Sequence, residues 1–445
     1  MLSPFMFIFY LNEIIKLSIK NNCRGIFIDN DHPNIPMLLY ADDLVLLGDT
    51  IGGVQKLLDT LSEFCDKWGL KVNLSKTKQM VFRNGGIIKK NEILYLNGVK
   101  LETVSYYKYL GIVISTRLSW SPAQSTLSAQ ASKAINMINQ MNFKCNYSFK
   151  TSCEIFDKCA LPILTYGSEI WGTDIHSSIE NVHFKFCKKQ LGVGCKSPSP
   201  AVIGDCGRGR IYLACYLKCV KYWLKIIAMP EGSLVKACYI LLYNQCNLGK
   251  LNWASKVKQI LNQYGFGYVW EGQSVNDVNS FLCNFKTRLS DCELQWWSDQ
   301  VGEMSKLQTY KLFKTERNVE SYLLLSIPRR LRVAIAKFRI SNHDLEVEKG
   351  RHYGIKYEDR LCKLCGQFNK IHIENEYHVL FECKAYYDIR KLYIVNHVAN
   401  VKTLNSFLNL MKSDDVNCII NLANFVCSMN KIRNLKMQEL NQGDT

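Results

Sequence analysis

Two groups of residues in this sequence are of types that hold metal ions. The first is the pair Asp42-Asp43, set between apolar runs in "MLLYADDLVLL" (residues 37–47). The second is Cys362-x2-Cys365, followed after twelve residues by His378 and after four more by Cys383. Adjacent carboxylates at a tight turn can ligate one divalent cation or lie between two. Nucleotidyl transfer uses that arrangement, one metal activating the attacking 3′-hydroxyl and the other stabilising the leaving pyrophosphate. Mg²⁺ suits such a site because it takes hard oxygen ligands and shares them with substrate phosphates. The competing reading is an ordinary turn, since Asp is a favoured turn residue. In the second group, two thiolates on a knuckle and a His and Cys one turn apart complete a closed tetrahedral Zn²⁺ site, structural because no position is left for water. Among nineteen cysteines a lone C-x2-C would be unremarkable; the His and fourth Cys at this spacing are not. His372 competes as a ligand with poorer spacing to Cys383.

The elements around the carboxylates read as an α+β fold. Short apolar runs on either side of Asp42-Asp43 are strands, with the pair at the turn between them. A helix follows whose apolar face is Val54, Leu57, Leu58, Leu61, Phe64, Cys65 and Trp68, stopped by Gly69. "LKVNL" and "QMVFR" read as strands joined by basic "SKTK", "EILYLNGVKLETV" as a hairpin turning at Asn97-Gly98, and "YYKYLGIVIS" as a further strand. Helices beside a mostly antiparallel sheet result. From Ser121 the pattern is helical, with Leu127, Ala131, Ala134, Ile135, Ile138 and Met141 on one face. The glycine-rich, basic segment 191–210 reads as a linker or loop, either plain surface or open to a phosphate chain. In "RRLRVAIAKFR", Leu331, Ala334, Ile335 and Phe338 share one helical face, leaving Arg329, Arg332, Arg339, Arg330 and Lys337 for a basic exterior or for a phosphate backbone.

Composition narrows the class. The 445 residues carry 56 Lys and Arg against 39 Asp and Glu, a formal charge of +17 that favours a polyanionic partner. Most cysteines stand singly in apolar patterns, as reduced thiols do. The opening "MLSPFMFIFYLNEII" lacks a basic leader, and Asn12 and Glu13 follow where a cleavage site needs small residues. No apolar run reaches the roughly 18–20 residues of a membrane span. An intracellular, reduced protein without membrane association is expected.

Tyr40-Ala41-Asp42-Asp43 resembles the signature of reverse transcriptases, and its neighbours follow in that family's order. "LSPFMFIFYLNEI" (residues 2–14) resembles the end of the segment just before it, a helix that underlies template and incoming nucleotide. "WGLKVNLSKTKQMVF" (residues 68–82) resembles the segment just after it, with Lys76 matching a lysine that acts as general acid on the leaving pyrophosphate. "YYKYLGIVIS" (residues 106–115) resembles the primer-gripping hairpin. Within the family the likeness is to the non-LTR, LINE-type retrotransposon polymerases. It implies Asp42 and Asp43 as ligands of Mg²⁺ or Mn²⁺. It also implies contacts to primer or substrate from Leu2, Ser3, Pro4, Tyr40, Ala41, Tyr109, Leu110 and Gly111. The partners implied are an RNA template, a DNA primer or target and deoxynucleotide triphosphates, in cytoplasm and nucleus. Cys362, Cys365, His378 and Cys383 resemble the Cys-Cys-His-Cys motif near the C-terminus of LINE-type proteins, which implies nucleic-acid binding. Lys363, Lys370 and Lys384 would contact phosphate there, and Tyr377, Phe381, Tyr386 and Tyr387 would offer stacking faces.

The family's active site has a third carboxylate on an earlier strand, and that strand would lie before residue 1, as would the fingers and any endonuclease domain. The chain accordingly reads as the C-terminal portion of a longer, truncated polymerase, with Met1 an internal methionine. The expected layout is part of a palm at 1–120, thumb-like helices at 121–190, and a helical linker or nucleic-acid-binding region at 191–342. A zinc module at 343–395 and terminal helices at 396–445 complete it. A polymerase segment inactive on its own is expected; the alternative is a non-catalytic nucleic-acid-binding remnant.

Overall fold

The computed structural model describes residues 2–83, 92–366, 372–395 and 403–443, apart from the side chains of residues 2–5, 7, 8, 143, 366 and 441–443. The fold mixes helices with small sheets and is mostly helical. No helix among the described residues is long and apolar enough to cross a membrane. The chain builds two compact units from interleaved stretches. The first is Met1–Thr126, Gly167–His176 and Ala214–Phe285; the second is Leu127–Tyr166, Ser177–Leu213 and Lys286–Thr445.

In the first unit, Met37–Tyr40 pairs antiparallel with Asp43–Leu46, Tyr40 lying opposite Asp43, as the apolar runs predict. The alternation of the strands turns Met37, Leu39, Leu44 and Leu46 inward against the helices Leu2–Lys20 and Ile51–Trp68. Leu57, Leu58, Leu61, Phe64 and Cys65 are buried, as the helical spacing requires. Thr50 caps the N-terminus of Ile51–Trp68 by accepting from Gly53 N–H at 3.2 Å, and Gly69 ends the helix at φ 66°.

The sheet is more broken than the sequence suggests: the described residues hold four separate two-stranded pairs. "LKVNL" is not a strand. Asn73 instead accepts the backbone N–H groups of Lys76 and Thr77 at 3.1 and 3.0 Å, a local turn that competes with any ladder. Of "QMVFR" only Gln79 is in a strand, Lys78–Gln79, which pairs parallel with Glu102–Thr103. Tyr95–Leu96 and Val99–Lys100 form the expected hairpin, with positive φ at both Asn97 and Gly98. "YYKYLGIVIS" is not one strand but a hairpin, Tyr106–Tyr109 with Ile112–Ser115, reversing at Leu110 and Gly111, both at positive φ.

In the second unit, three sequence expectations are corrected. Met141 is exposed, whereas Leu127, Ala131, Ile135 and Ile138 are buried as expected. Segment 191–210 is no surface loop, because it contains the helix Ser199–Asp205, buried along its whole length from Pro200. Arg339 is not on a basic exterior: it is buried, donating to Asp205 at 3.1 Å and bridging Glu320 at 2.7 Å. Leu331, Ala334, Ile335 and Phe338 are buried as predicted, and Arg329, Arg330 and Lys337 face solvent.

Candidate functional site

Asp42 and Asp43 stand at the tip of their hairpin, both exposed, with Ala41 at φ 52° making the turn. Tyr40 is 64% exposed, on the face opposite the inward-packed Leu39. Two further elements meet this tip. The phenol of Tyr109 lies close enough to Asp43 that burial first, and then that carboxylate, push its pKa up. Two residues before it, Tyr107 donates its hydroxyl to the Lys76 carbonyl at 2.9 Å, tying the 106–115 hairpin to the turn that carries Lys76. Lys76 itself is exposed. Tyr40, Ala41, Asp42, Asp43, Lys76, Tyr109, Leu110 and Gly111 are thus carried on three linked turns of one unit. Leu2 and its neighbours Ser3 and Pro4 belong to the helix Leu2–Lys20, and their side chains lie outside the described residues. Among the described residues, no group of three or more Asp, Glu, His or Cys donors includes Asp42 or Asp43.

The Cys/His group assembles as its spacing requires. Cys362, Cys365, His378 and Cys383 are all buried, and their donor atoms lie within 4.8 Å of one another. The sulfur separations are 3.9 Å for Cys362–Cys383 and 3.5 Å for Cys365–Cys383, and His378 Nε2 is 3.5 Å from Cys365. A tetrahedron with metal–sulfur bonds of about 2.3 Å has edges of about 3.8 Å, so the donor set fits a metal ion of that size.

Local structure explains the assembly. Cys362 N–H bonds the His372 carbonyl at 2.8 Å beside an isolated Leu361–Ile373 bridge, and Cys365 N–H bonds Cys362 O at 3.2 Å to turn the knuckle. Asn375 caps the helix Glu376–Phe381 by accepting from His378 N–H at 2.8 Å. The carbonyls at the end of that helix are satisfied by Arg390, which donates to Leu380, Val379 and Cys383 at 2.6, 3.2 and 2.7 Å. With Nε2 facing the sulfurs, His378 Nδ1 meets Glu382 at 3.1 Å, the carboxylate–histidine pairing that fixes tautomer and ring orientation in metal sites. His372 is outside the quartet, its ring stacked on that of His378 at 5.1 Å.

The surroundings depart from expectation. Tyr386 and Phe381 are buried, and Tyr377 packs on Phe381 and Phe407, so of the four aromatics only Tyr387, 63% exposed, offers an open face. Lys363 reaches Glu346 at 3.6 Å, Lys384 is exposed, and Lys370 lies outside the described residues. Glu382, Arg390, Glu374 and Arg433, all close to the quartet, were not signalled by spacing. Only Glu382, one helical turn past His378, could have been found from the sequence.

Residues 1–114 match the family described as reverse transcriptase (RNA-dependent DNA polymerase). A probable RNA-directed DNA polymerase from transposon BS of Drosophila melanogaster is 29% identical over 150 residues, covering 32% of this chain and 17% of that protein. The RNA-directed DNA polymerase from mobile element jockey of the same fly is 24% identical over 165 residues, 34% of this chain and 17% of that protein. A putative transposon-derived protein of Caenorhabditis elegans is 30% identical over 141 residues, 31% of this chain and 49% of that protein. The matched part is a polymerase palm of the reverse transcriptase class. The likeness of the chain is to the reverse transcriptases of LINE-type, non-LTR transposons. The chain spans less than half the length of each of these relatives over the matched region.

Proposed function

We propose that this chain is a segment of an RNA-directed DNA polymerase of a non-LTR retrotransposon, acting on an RNA template, a DNA primer or target and deoxynucleotide triphosphates inside the cell, in cytoplasm and nucleus. The observation that carries the reading is the convergence of the Asp42-Asp43 tip, the Lys76 turn and the Tyr106–Tyr109 hairpin, in the order and with the residue types of the matched family. Asp42 and Asp43 would hold Mg²⁺ or Mn²⁺ through their exposed carboxylates. When bound, the ion supplies Lewis-acid activation of a 3′-hydroxyl and charge stabilisation of the leaving pyrophosphate. Lys76 delivers a proton to that leaving group. Tyr109, Leu110 and Gly111 seat the primer end beside Asp43, and Leu2, Ser3 and Pro4 support the substrate from the preceding helix.

Two carboxylates on one turn bind a metal loosely and leave the spacing of a second ion unfixed. Chain 1–445 by itself therefore does not extend primers. Primer extension with Mg²⁺ and the four dNTPs is the test: robust synthesis by the purified chain that Asp42→Ala abolishes would sink the claim of inactivity and leave the family reading intact.

A second, non-catalytic reading is favoured by the intact Cys/His quartet and by exposed Arg329, Arg330 and Lys337. Residues 343–395 form a zinc module that binds nucleic acid alongside thumb-like helices at 121–190, the helical region 191–342 and the terminal helices at 396–445. The purified chain should carry about one equivalent of zinc, and Cys365→Ser should lose it; a metal-free wild-type chain that cannot be loaded would defeat the module.

A further inference from the structure

Beside the quartet lies a buried set of paired charges. Glu374 is fully buried, and its Oε1 is 3.7 Å from Cys362 Sγ. Its other oxygen accepts Glu346 N–H at 2.7 Å. Glu346, also buried, lies 3.6 Å from Lys363, the residue next to Cys362. Both carboxylates are met by one guanidinium from far along the chain. Arg433, only 2% exposed, bonds Glu374 through Nη1, Glu346 through Nη2 at 3.2 Å, and the Asp344 carbonyl through Nε at 3.2 Å. It comes from the helix Val416–Gly443, which packs on Lys363–Gly366, Tyr387–Tyr393 and Arg329–Arg339.

Neither feature has an explanation alone. A long helix docked by packing does not need a buried guanidinium, and a zinc knuckle does not need two buried glutamates. Together they do. Three thiolates and an imidazole around a divalent ion carry net negative charge, and Glu374 sets a further carboxylate against one of those sulfurs. Burial of like charge so close is costly unless an opposite charge shares the site. Conversely, the elements that hold Glu374 and Glu346 in place are short: the seven-residue helix Glu346–His352, and for Glu374 the single Leu361–Ile373 bridge just before it. Such pieces keep one geometry only when something ties them together.

We propose that Arg433 is a positioning residue of the metal centre, so that metal occupancy of the quartet and docking of the helix Val416–Gly443 are one coupled event through Glu374 and Glu346. This rests on the metal reading of the quartet. A bound ion fixes the two glutamates as a receptacle for Arg433, and Arg433 in turn neutralises the acid beside Cys362. By linkage each stabilises the other by the same factor.

The probe is zinc, and the protein is the full chain. Chelator competition should find zinc bound about 10–100-fold more weakly by Arg433→Met than by wild type, the range for loss of an outer-shell partner, with Arg433→Lys in between. Adding Glu374→Gln to Arg433→Met should restore most of the loss, which a merely structural arginine would not allow. In wild type, stripping zinc should speed amide exchange across residues 416–443 and leave Ile51–Trp68 unchanged, a measurement that needs no variant to fold. Equal zinc affinity in Arg433→Met, failure of Glu374→Gln to restore binding, or unchanged exchange on chelation overturns the coupling and leaves the metal reading standing. No zinc on wild type overturns the metal reading, and the coupling with it.

Discussion

Glu180 accepts the backbone N–H groups of Ile211 and Tyr212 at 3.0 and 2.9 Å, in a partly buried position beside His183 and Arg210. Burial is the largest influence on its carboxyl and raises its pKa above the ordinary 4.5, against the pull of the two amides. A carboxyl whose folded pKa exceeds its unfolded one contributes stability below the unfolded value and loses it as pH rises through the folded value. Glu180→Gln, neutral throughout, should therefore show a smaller fall in unfolding free energy from pH 4.5 to neutrality than the parent chain. Urea titrations across that window would decide it, and superimposable profiles would mean that burial of this carboxylate is not felt. Arg339 teaches a related lesson. Its helical position placed it with the polar residues, yet its partners Asp205 and Glu320 come from other elements of the unit. Periodicity separates apolar from polar; it cannot tell a solvated charge from one paired in the interior. The Cys/His quartet was legible because its spacing is local. Arg433 was not, because nothing near it in sequence refers to Glu374.

Among elements, those with complete local signals folded as read. Helix Ile51–Trp68 had an apolar face and a terminal glycine, and both act in the structure, which adds Thr50 as N-cap. Gly69 sits at φ 66° with nothing within 4 Å of where a Cβ would be. Gly69→Ala should accordingly cost about 1 kcal/mol, from the left-handed conformation alone, measurable as a lower denaturation midpoint; a neutral result would mean the cap can relax. Segment 191–210 shows the opposite case. Its glycines, prolines and serines resemble a loop, but small residues there permit close packing. A Cβ on Gly204 would stand 2.6 Å from Tyr310 Oη and 2.9 Å from the Trp297 ring. Composition alone does not distinguish a glycine that frees the backbone from one that lets two elements touch. The strand-like "LKVNL" failed for a further reason, since the Asn73 turn took the backbone bonds a ladder would have used.

For the whole molecule, the +17 charge was read correctly as an amount but not as a distribution. Arg210, Arg339, Arg390 and Arg433 are spent on interior carboxylates and carbonyls, and Arg208 pairs with the half-exposed Asp157. What is left to face a polyanion includes Arg329, Arg330 and Lys337 on one exposed helix face. If that face meets phosphates, replacing all three by Gln should lower the slope of log affinity against log salt by roughly 2–3, at about 0.7–0.9 per lost contact. An unchanged slope in a salt series with single-stranded RNA or duplex DNA would place the contacts elsewhere.

The interleaved path of the chain also sets a timetable. The first unit lacks its last stretch until Phe285 has been made, and the second until its terminal helix has. At about 5–20 residues per second, the Asp42-Asp43 hairpin waits on the order of ten seconds or more for the helices that complete its unit. During that interval its strand edges and apolar faces are open to whatever else is nearby on the ribosome. A protein arranged in this way cannot finish its parts in the order they are written, and its yield in any cell will depend on what guards the early half while the later half is still being translated.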